Sequence, residues 1–334
     1  MPRPVPIVVA LLVLQAALVL LFVVPARSPE PHGLPVGVAG PAAATAPAQR
    51  ALAARGDAFE VHTYAGADAA RAAIREREVY GALVPAEGRV LVASAASPVV
   101  AQQLRELGEH AGAGRASAES GATGAGAANG LHVEDVVPAT SGDPRGAVLN
   151  LLFLPLMIAC FPLAAVLGRM RLPRRKMLGL VAGFAVLSGL GLTAMLQAMD
   201  ALPGPYLAVS GVAALVVAAV GLTAAGLFRV LGPAGLGVAA VLFVVLGNPG
   251  SGNATAPELL PGFWRVAGQL LPPGAGGQAL RDVAYFDGHA LLVPALVLAA
   301  WALFGAALIL IGRRERPTPE PTGAPAEPRI AVPA

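Results

Sequence analysis

Five long apolar runs dominate the second half of the chain, and strongly polar side chains are almost missing from them. They cover residues 147–168, 177–199, 206–228, 230–247 and 289–311. Because a helix rises about 1.5 Å per residue, about 20 apolar residues cross the hydrocarbon core of a bilayer. A soluble amphipathic helix would show a polar face, and these runs show none. The pattern predicts five membrane-spanning helices, since backbone groups in lipid must be hydrogen-bonded within the segment.

A sixth apolar run, 5–24, lies near the start of the sequence. Its length of about 20 residues exceeds the roughly 7–15 apolar residues of a signal-peptide core. We therefore predict an uncleaved N-terminal transmembrane helix, that is, a signal anchor, within residues 1–26. Cleavage is the alternative, because residues 24–26 (VPA) resemble a signal-peptidase site. Both interpretations export the segment that follows.

Basic residues in the short connections predict the orientation. Under a six-span count they all fall on one side: Arg169, Arg171, Arg174, Arg175, Lys176, Arg229, Arg313, Arg314 and Arg316. The positive-inside rule makes that side cytoplasmic. An excess of Ala, Gly and Pro with a single lysine is typical of a GC-rich bacterial gene. We therefore expect a multi-pass protein of the bacterial cell (plasma) membrane with both termini in the cytoplasm.

The exported segment, 27–146, alternates short β-branched runs with amphipathic stretches. Strands are predicted at 35–40, 59–62, 80–84, 90–93 and 132–137, and helices at 48–55, 67–78 and 98–110. This order predicts a small α/β layer domain with a flexible Gly/Ala-rich linker at 111–129. The predicted fold class is an all-α polytopic membrane bundle of six transmembrane helices, with an extracytoplasmic α/β domain inserted between the first and second.

Within the five-helix membrane domain, 147–312, the outer segment 248–288 is long for a loop and rich in Pro and Gly. Such length indicates function or a re-entrant-like insert. Five charged residues lie in this segment: Glu258, Arg265, Arg281, Asp282 and Asp287. They form ion pairs with one another, bind a ligand, or are simply solvated. The Pro-rich tail, 313–334, is predicted to be a disordered cytoplasmic segment.

Polar residues near the spans are few. Asn150 and Gln197 either join helices by hydrogen bonds or line a path. A candidate path or outer gate is formed by Asn150, Gln197, Glu258, Phe263, Trp264 and Arg281. Small residues four apart predict close helix crossings, as at Gly179/Gly183 and Gly189/Thr193.

Composition and motifs argue against a catalytic, metal-binding or nucleic-acid-binding site. The chain is 56% hydrophobic and 13% charged with a mean hydropathy of +0.67, so its charge of +3 is not a nucleic-acid signal. The five histidines lack the spacing of a helical metal site, and Lys176 does not stand in a phosphate-binding loop. We predict no enzymatic activity, no cofactor, no metal and no nucleic-acid partner. Active transport would need a separate energy source.

Three stretches resemble a known family: 67–85 (ADAARAAIREREVYGALVP), 135–146 (DVVPATSGDPRG) and 249–286, which begins PGSGNATAPELLPGFW. With the order of one span, an outer domain and five spans, they resemble the type-2 ATP-binding-cassette exporter permeases, in the branch related to the phage-infection-protein membrane proteins. The resemblance implies a permease subunit in the lipid bilayer that pairs with a second copy or a homologous permease. It also implies a separate nucleotide-binding ATPase subunit that energises export. If the chain does export, a hydrophobic or amphipathic molecule entering from the bilayer fits a bundle this poor in charge.

The candidate ATPase docking site is the basic loop with Arg169, Arg171, Arg174, Arg175 and Lys176. The same residues can instead be a topology signal that meets anionic lipid. The loop is short, and only four residues precede the first apolar run. A second interpretation therefore stays open, in which the protein is a membrane-anchored surface or scaffold protein with an extracytoplasmic binding domain and no transport activity.

Overall fold

The structure is a computed structural model that describes residues 15–16, 30–119, 131–170 and 172–312, with the backbone alone described at 110–119. The predicted N-terminal transmembrane helix, most of the Gly/Ala-rich linker, Arg171 and the Pro-rich tail lie outside the described residues. The described part is mostly helical, with five long apolar helices and one small sheet. It agrees with a multi-pass membrane protein.

The sheet has five strands, and their spatial order is β2-β1-β3-β4-β5. The strands are β1 Leu34–Ala39, β2 Phe59–Tyr64, β3 Gly81–Val84, β4 Arg89–Val92 and β5 His132–Asp135. All neighbouring strands are parallel except β3 and β4. Gly88, in the left-handed conformation at φ 64°, closes the tight turn between these two strands, a conformation that glycine adopts without steric cost. The five strands confirm the predicted ones, with ends displaced by up to two residues.

Three helices complete the α/β layer: α1 Ala42–Ala53, α2 Ala67–Arg75 and α3 Pro98–Glu119. Helix α1 begins six residues before its predicted start and accommodates Pro47 inside it. Helix α3 continues into residues 111–119, for which we predicted a flexible linker. This stretch is rich in alanine, which has the highest intrinsic helix propensity. The core between the layers is apolar and includes Val36, Ile74, Leu91 and Leu104.

The five candidate spans are α4 Val148–Arg169, α5 Arg174–Ala198, α6 Tyr206–Leu231, α7 Pro233–Gly250 and α10 Leu292–Ile311. Helix α6 is central and largely buried, with α4, α5 and α10 packed around it. Glycines permit the closest crossings. A side chain at Gly189 would collide with Ala214, and one at Gly305 with the backbone of Leu222. The prediction for Gly179 and Gly183 is wrong within the described chain, because nothing lies within 4 Å of a Cβ built at either position.

The insert between α7 and α10 contains two helices, α8 Gly262–Ala267 and α9 Pro272–Tyr285. The bend that joins them reaches the middle of α10, where the Trp301 indole N–H donates to the Leu270 carbonyl over 2.8 Å. Trp301 is the tenth of the 20 residues of α10. Helix α9 then returns toward the α/β domain and is buried from Pro272 to Ala284. The insert is therefore a helical hairpin that packs among the spans.

Candidate functional site at the junction of the domain and the bundle

The α/β domain meets the insert through a buried ion pair. A guanidinium nitrogen of Arg77, which follows α2, contacts a carboxylate oxygen of Asp282 on α9. The Arg77 side chain is 10% exposed and that of Asp282 is 1% exposed. Arg77 also donates to the Gln278 side-chain oxygen over 3.0 Å and lies 5.1 Å from the centre of the Phe286 ring. One arginine of the domain thus contacts three side chains of the insert.

The backbone at Arg77 is strained in a way that directs this side chain. The α2 helix ends in a Schellman motif, in which the Glu78 N–H donates to the Ala73 carbonyl and the Arg77 N–H to the Ile74 carbonyl. Arg77 takes the left-handed position of this motif, at φ 62°. Glycine is usual there, because a side chain in this conformation costs about 1–2 kcal/mol. Strain of this kind, held by surrounding contacts, is typical of functional positions.

A second buried arginine lies one residue before Asp282. Arg281 is 2% exposed and donates to the Asn253 backbone carbonyl over 3.2 Å. The Asn253 side chain in turn donates to the Pro273 carbonyl over 2.9 Å. Burial, and secondly the nearby Arg77 cation, lower the pKa of Arg281 to about 10, so the side chain still carries its charge at neutral pH. The junction therefore buries two cations close to a single buried carboxylate.

Hydrogen bonding in this network is incomplete. Four buried atoms have no hydrogen-bond partner among the described residues: Asn253 Oδ1, Gln278 Nε2, Arg281 Nε and Asp282 Oδ2. Each unsatisfied buried polar group costs about 1–3 kcal/mol. An all-apolar contact of the same size would avoid this cost, so the network indicates a role other than simple stabilisation.

A second set of contacts surrounds the ion pair. The Tyr80 hydroxyl donates to the Glu258 carboxylate over 2.8 Å, and the His32 N–H donates to the Glu258 carbonyl over 2.9 Å. Burial, and secondly the charge of Glu258, raise the pKa of Tyr80, so its hydroxyl remains a protonated donor. Arg265 donates to the His32 carbonyl over 2.8 Å.

These residues border a cleft of about 330 Å³ between the α/β domain, the insert and the first turn of α10. Arg77 and Tyr80 come from the domain, and Val293 and Pro294 come from α10. The insert supplies the remaining polar lining, with Glu258, Arg265, Gln269, Gln278 and Asp282. Ligand pockets commonly have volumes of about 300–1,000 Å³, so the cleft suits a small polar group.

The chain matches no family model, no curated protein and no solved structure. The resemblance to exporter permeases therefore stays a prediction. In the part of the chain that the structure describes, no group of three or more His, Cys, Asp or Glu could hold a metal ion.

The structure brings some of the predicted gate residues together and separates others. Glu258 lines the cleft, and Arg281 lies beside it on α9. We considered that the charged residues of the insert are solvated. This is wrong for Arg281 and Asp282, which are buried, and it agrees with Asp287, which is exposed. Sequence patterns could not distinguish these cases, because α9 lies in a polar, glycine-rich stretch without a long apolar run.

The remaining predicted path residues do not line the cleft. Gln197 donates to the Gly204 carbonyl over 2.8 Å and so closes the turn between α5 and α6. Asn150 is half-buried in the first turn of α4. Phe263 is 75% exposed and contacts Trp264, whose ring packs on Gly250. The hydrogen bond of Gln197 is to the turn before α6 and not to another helix.

The basic residues lie at the opposite end of the bundle. The Arg169 guanidinium lies 5.7 Å from the centre of the Phe228 ring, and Arg174 donates to the Gly312 carbonyl over 3.4 Å. Arg175 and Lys176 are exposed in the first turn of α5. Arg169 and Arg174 are exposed as well, so all the described basic residues of this loop are accessible.

Sequence analysis missed Arg77, Tyr80, Asn253 and Gln278 as site residues. Arg77 stands in the charged string REREVY, which has the appearance of a solvated helix end. The predicted helix, 67–78, runs through Arg77, whereas the helix ends at Arg75, so no local signal placed Arg77 just beyond the end of α2.

Proposed function

We propose that the chain is the membrane-spanning permease subunit of an ATP-binding-cassette type exporter, energised by a separate ATPase subunit. In this proposal the junction of the α/β domain with the insert is the outer gate. The observation that carries the proposal is the helical hairpin, which reaches the middle of α10 and is tied at its outer end to the α/β domain by Arg77 and Asp282. A movement of the domain would therefore move an element packed among the spans.

The ion pair between Arg77 and Asp282 has the properties that a gate needs. A buried ion pair adds little net stability compared with apolar residues of similar size, but breaking it is costly because one charge is left buried and alone. Such a contact favours one discrete arrangement over intermediate ones. A gate needs this behaviour, because it must switch between distinct states.

The opposite end of the bundle offers the docking surface for the ATPase. Arg175 and Lys176 project from the start of α5, which packs along the central helix α6. Movement transmitted from this end through α6 would reach α9, which also contacts α6. The bundle thus supplies a continuous packed route between the two ends.

Gentle purification of the full chain tests the proposal. We expect a nucleotide-binding subunit to co-purify in stoichiometric amount, and the double substitution Arg175→Glu/Lys176→Glu to abolish its recovery. Arg50→Glu/Arg145→Glu makes the same kind of change on exposed residues of the exported segment and serves as the control. Recovery of the wild-type chain without an ATPase would overturn the proposal.

The alternative function is a membrane-anchored surface or scaffold protein. The tight apolar packing around α6 favours it, because an anchor needs no path through the bundle. Both functions require the same topology. Reporter fusions at Gly124 and Gly323 test it, with Gly124 expected outside and Gly323 in the cytoplasm; a cytoplasmic Gly124 would contradict both.

A further inference from the structure

Two charged side chains that line the junction cleft have no ionic partner among residues 30–119, 131–170 and 172–312. The Glu258 carboxylate accepts a hydrogen bond from the neutral Tyr80 hydroxyl through Oε2. The Arg265 guanidinium donates from one nitrogen to a backbone carbonyl, that of His32. The salt bridges of the described part include neither residue.

Both groups keep hydrogen-bonding capacity that no described residue takes up, with Glu258 half-buried and Arg265 exposed. A carboxylate has a second oxygen, and a guanidinium has five N–H donors in a planar fork that matches phosphate oxygens. Deeper in the cleft lie Gln278 and Asp282, each more than nine-tenths buried and each with one polar atom lacking a partner. The cleft therefore presents donors and acceptors together rather than one kind alone.

The charge of the lining is balanced. Arg77 and Arg265 contribute two positive charges, and Glu258 and Asp282 contribute two negative charges. A net anion would gain from Arg265 and from Arg281, which is buried beside the cleft, but it would be repelled by Glu258 and would leave that carboxylate without a cation. A ligand that carries one charge of each sign would satisfy both unpaired groups.

The cleft opens beside apolar surface on α10. Val293 and Pro294 line it, and Val293 is 69% exposed. Leu292 and Leu296, on the same two turns, are 71% and 60% exposed. Since α10 is a candidate span that begins at Leu292, this surface lies where the acyl region of a bilayer would start.

We propose that the cleft binds the zwitterionic head group of a membrane phospholipid. Its ammonium group lies on Glu258 and its phosphate on Arg265, and an acyl chain runs along Leu292, Val293 and Leu296. The proposal rests on the proposed function, for which it names zwitterionic phospholipids as the substrate class. A primary ammonium head group fits best, because its N–H groups can donate to the carboxylate.

The test is lipid retention by the purified full chain, measured by native mass spectrometry with equal amounts of phosphatidylethanolamine and phosphatidylglycerol. We expect selective retention of phosphatidylethanolamine. Glu258→Gln and Arg265→Gln should each weaken this retention about tenfold, the loss of one charge-assisted contact. Asp287→Asn removes a carboxylate from the exposed end of the same insert and should leave retention unchanged. A thermal unfolding curve for each variant separates lost binding from lost folding.

Equal retention of the two lipids, or unchanged retention in both cleft variants, would overturn the proposal and leave a cleft filled by water. Displacement of the lipid by an equal concentration of soluble glycerophosphoethanolamine would also overturn it, because the tail would then contribute nothing. The outcomes separate the two proposals. Selective retention without a co-purifying ATPase would overturn the exporter alone, whereas a co-purifying ATPase without selective retention would overturn the lipid site alone.

Discussion

The core of the α/β domain and its junction with the insert are both buried, but apolar side chains form the core and charged side chains form the junction. Val36, Val38 and Leu91 fill the core and are fully buried. The junction buries Arg77, Asp282 and Arg281 and leaves several polar atoms without partners. Apolar contacts stabilise in proportion to buried area and have little directional preference, whereas a buried ion pair is satisfied in one geometry only. The comparison indicates that the core provides stability and the junction fixes a relative position.

The two regions should therefore respond differently to conservative changes. A core position tolerates a side chain of similar volume, because the transfer of apolar area from water changes little. A junction position does not tolerate the loss of a charge, because its partner stays buried. Five predictions follow, from the largest expected effect to the smallest.

Asp282→Ala is expected to lower the free energy of unfolding by about 3–5 kcal/mol, because Arg77 and Arg281 would remain buried without a carboxylate. Leu91→Met, a change of similar volume in the apolar core, should cost less than about 1.5 kcal/mol. Denaturant unfolding of the full chain in detergent measures both. Amide hydrogen exchange should locate the Asp282→Ala effect in α9 and in the residues around Arg77.

The double substitution Arg77→Met/Asp282→Leu separates lost charge balance from lost packing. Replacing a whole ion pair by apolar residues is often neutral, so the double variant should be more stable than Asp282→Ala alone. Arg281 stays buried in both variants. If the double variant is as unstable as the single one, the unpaired charge of Arg77 is not what destabilises Asp282→Ala.

Gly277→Ala is expected to cost about 1–3 kcal/mol, because a Cβ at this position would overlap the Asn253 side chain. Gly179→Ala makes the same change in α5, where nothing lies within 4 Å of the new atom. It should stabilise the chain by up to about 1 kcal/mol through helix propensity. The two variants, compared by thermal unfolding in the same detergent, should shift in opposite directions. Stabilisation by Gly277→Ala would show that the α9 crossing is not tightly packed.

Much of the fold could be predicted because its signals are local. The apolar runs predicted the positions of α4, α5, α6, α7 and α10 to within about three residues at every end. The alternation of β-branched runs and amphipathic stretches gave all five strands. These patterns follow from burial that repeats every two or 3.6 residues, and a single sequence contains them.

The junction could not be predicted, because its contacts join distant parts of the chain. Arg77 and Asp282 are 205 residues apart, and nothing near either residue indicates the other. Helix α9 is buried on all sides although its sequence, PPGAGGQALRDVAY, is no more apolar than many exposed helices. Its glycines are explained by neighbours such as Asn253 and Phe153, which only the folded arrangement brings close.

Tyr80→Phe tests the outer contacts of the junction and should cost about 1–2 kcal/mol, because Glu258 loses a donor to its carboxylate. Tyr64→Phe is the matched control in the domain. Its hydroxyl makes an exposed, 3.3 Å bond to Glu78, so the change should stay within about 0.5 kcal/mol. Denaturant unfolding distinguishes the two. Equal effects would mean that burial at the junction adds nothing to the hydrogen bond.

The smallest effect is expected at the edge of the sheet, where a charge pair meets water instead of protein. Two guanidinium nitrogens of Arg71 each donate to Glu134 on β5 over 2.8 Å. This hydrogen bonding holds the pKa of Glu134 below its ordinary value of 4.5. A carboxylate whose pKa is lowered in the folded state contributes its full stabilisation above its unfolded-state pKa. The contribution is lost as the pH falls through the folded-state pKa.

Amide exchange protection of His132–Asp135, corrected for intrinsic rates, should therefore be constant above about pH 5 and decline below the ordinary pKa of Glu134. Glu134→Gln should remove this decline while leaving the protection of α9 unchanged. An identical acid dependence in the variant would show that another group at the sheet edge titrates in its place.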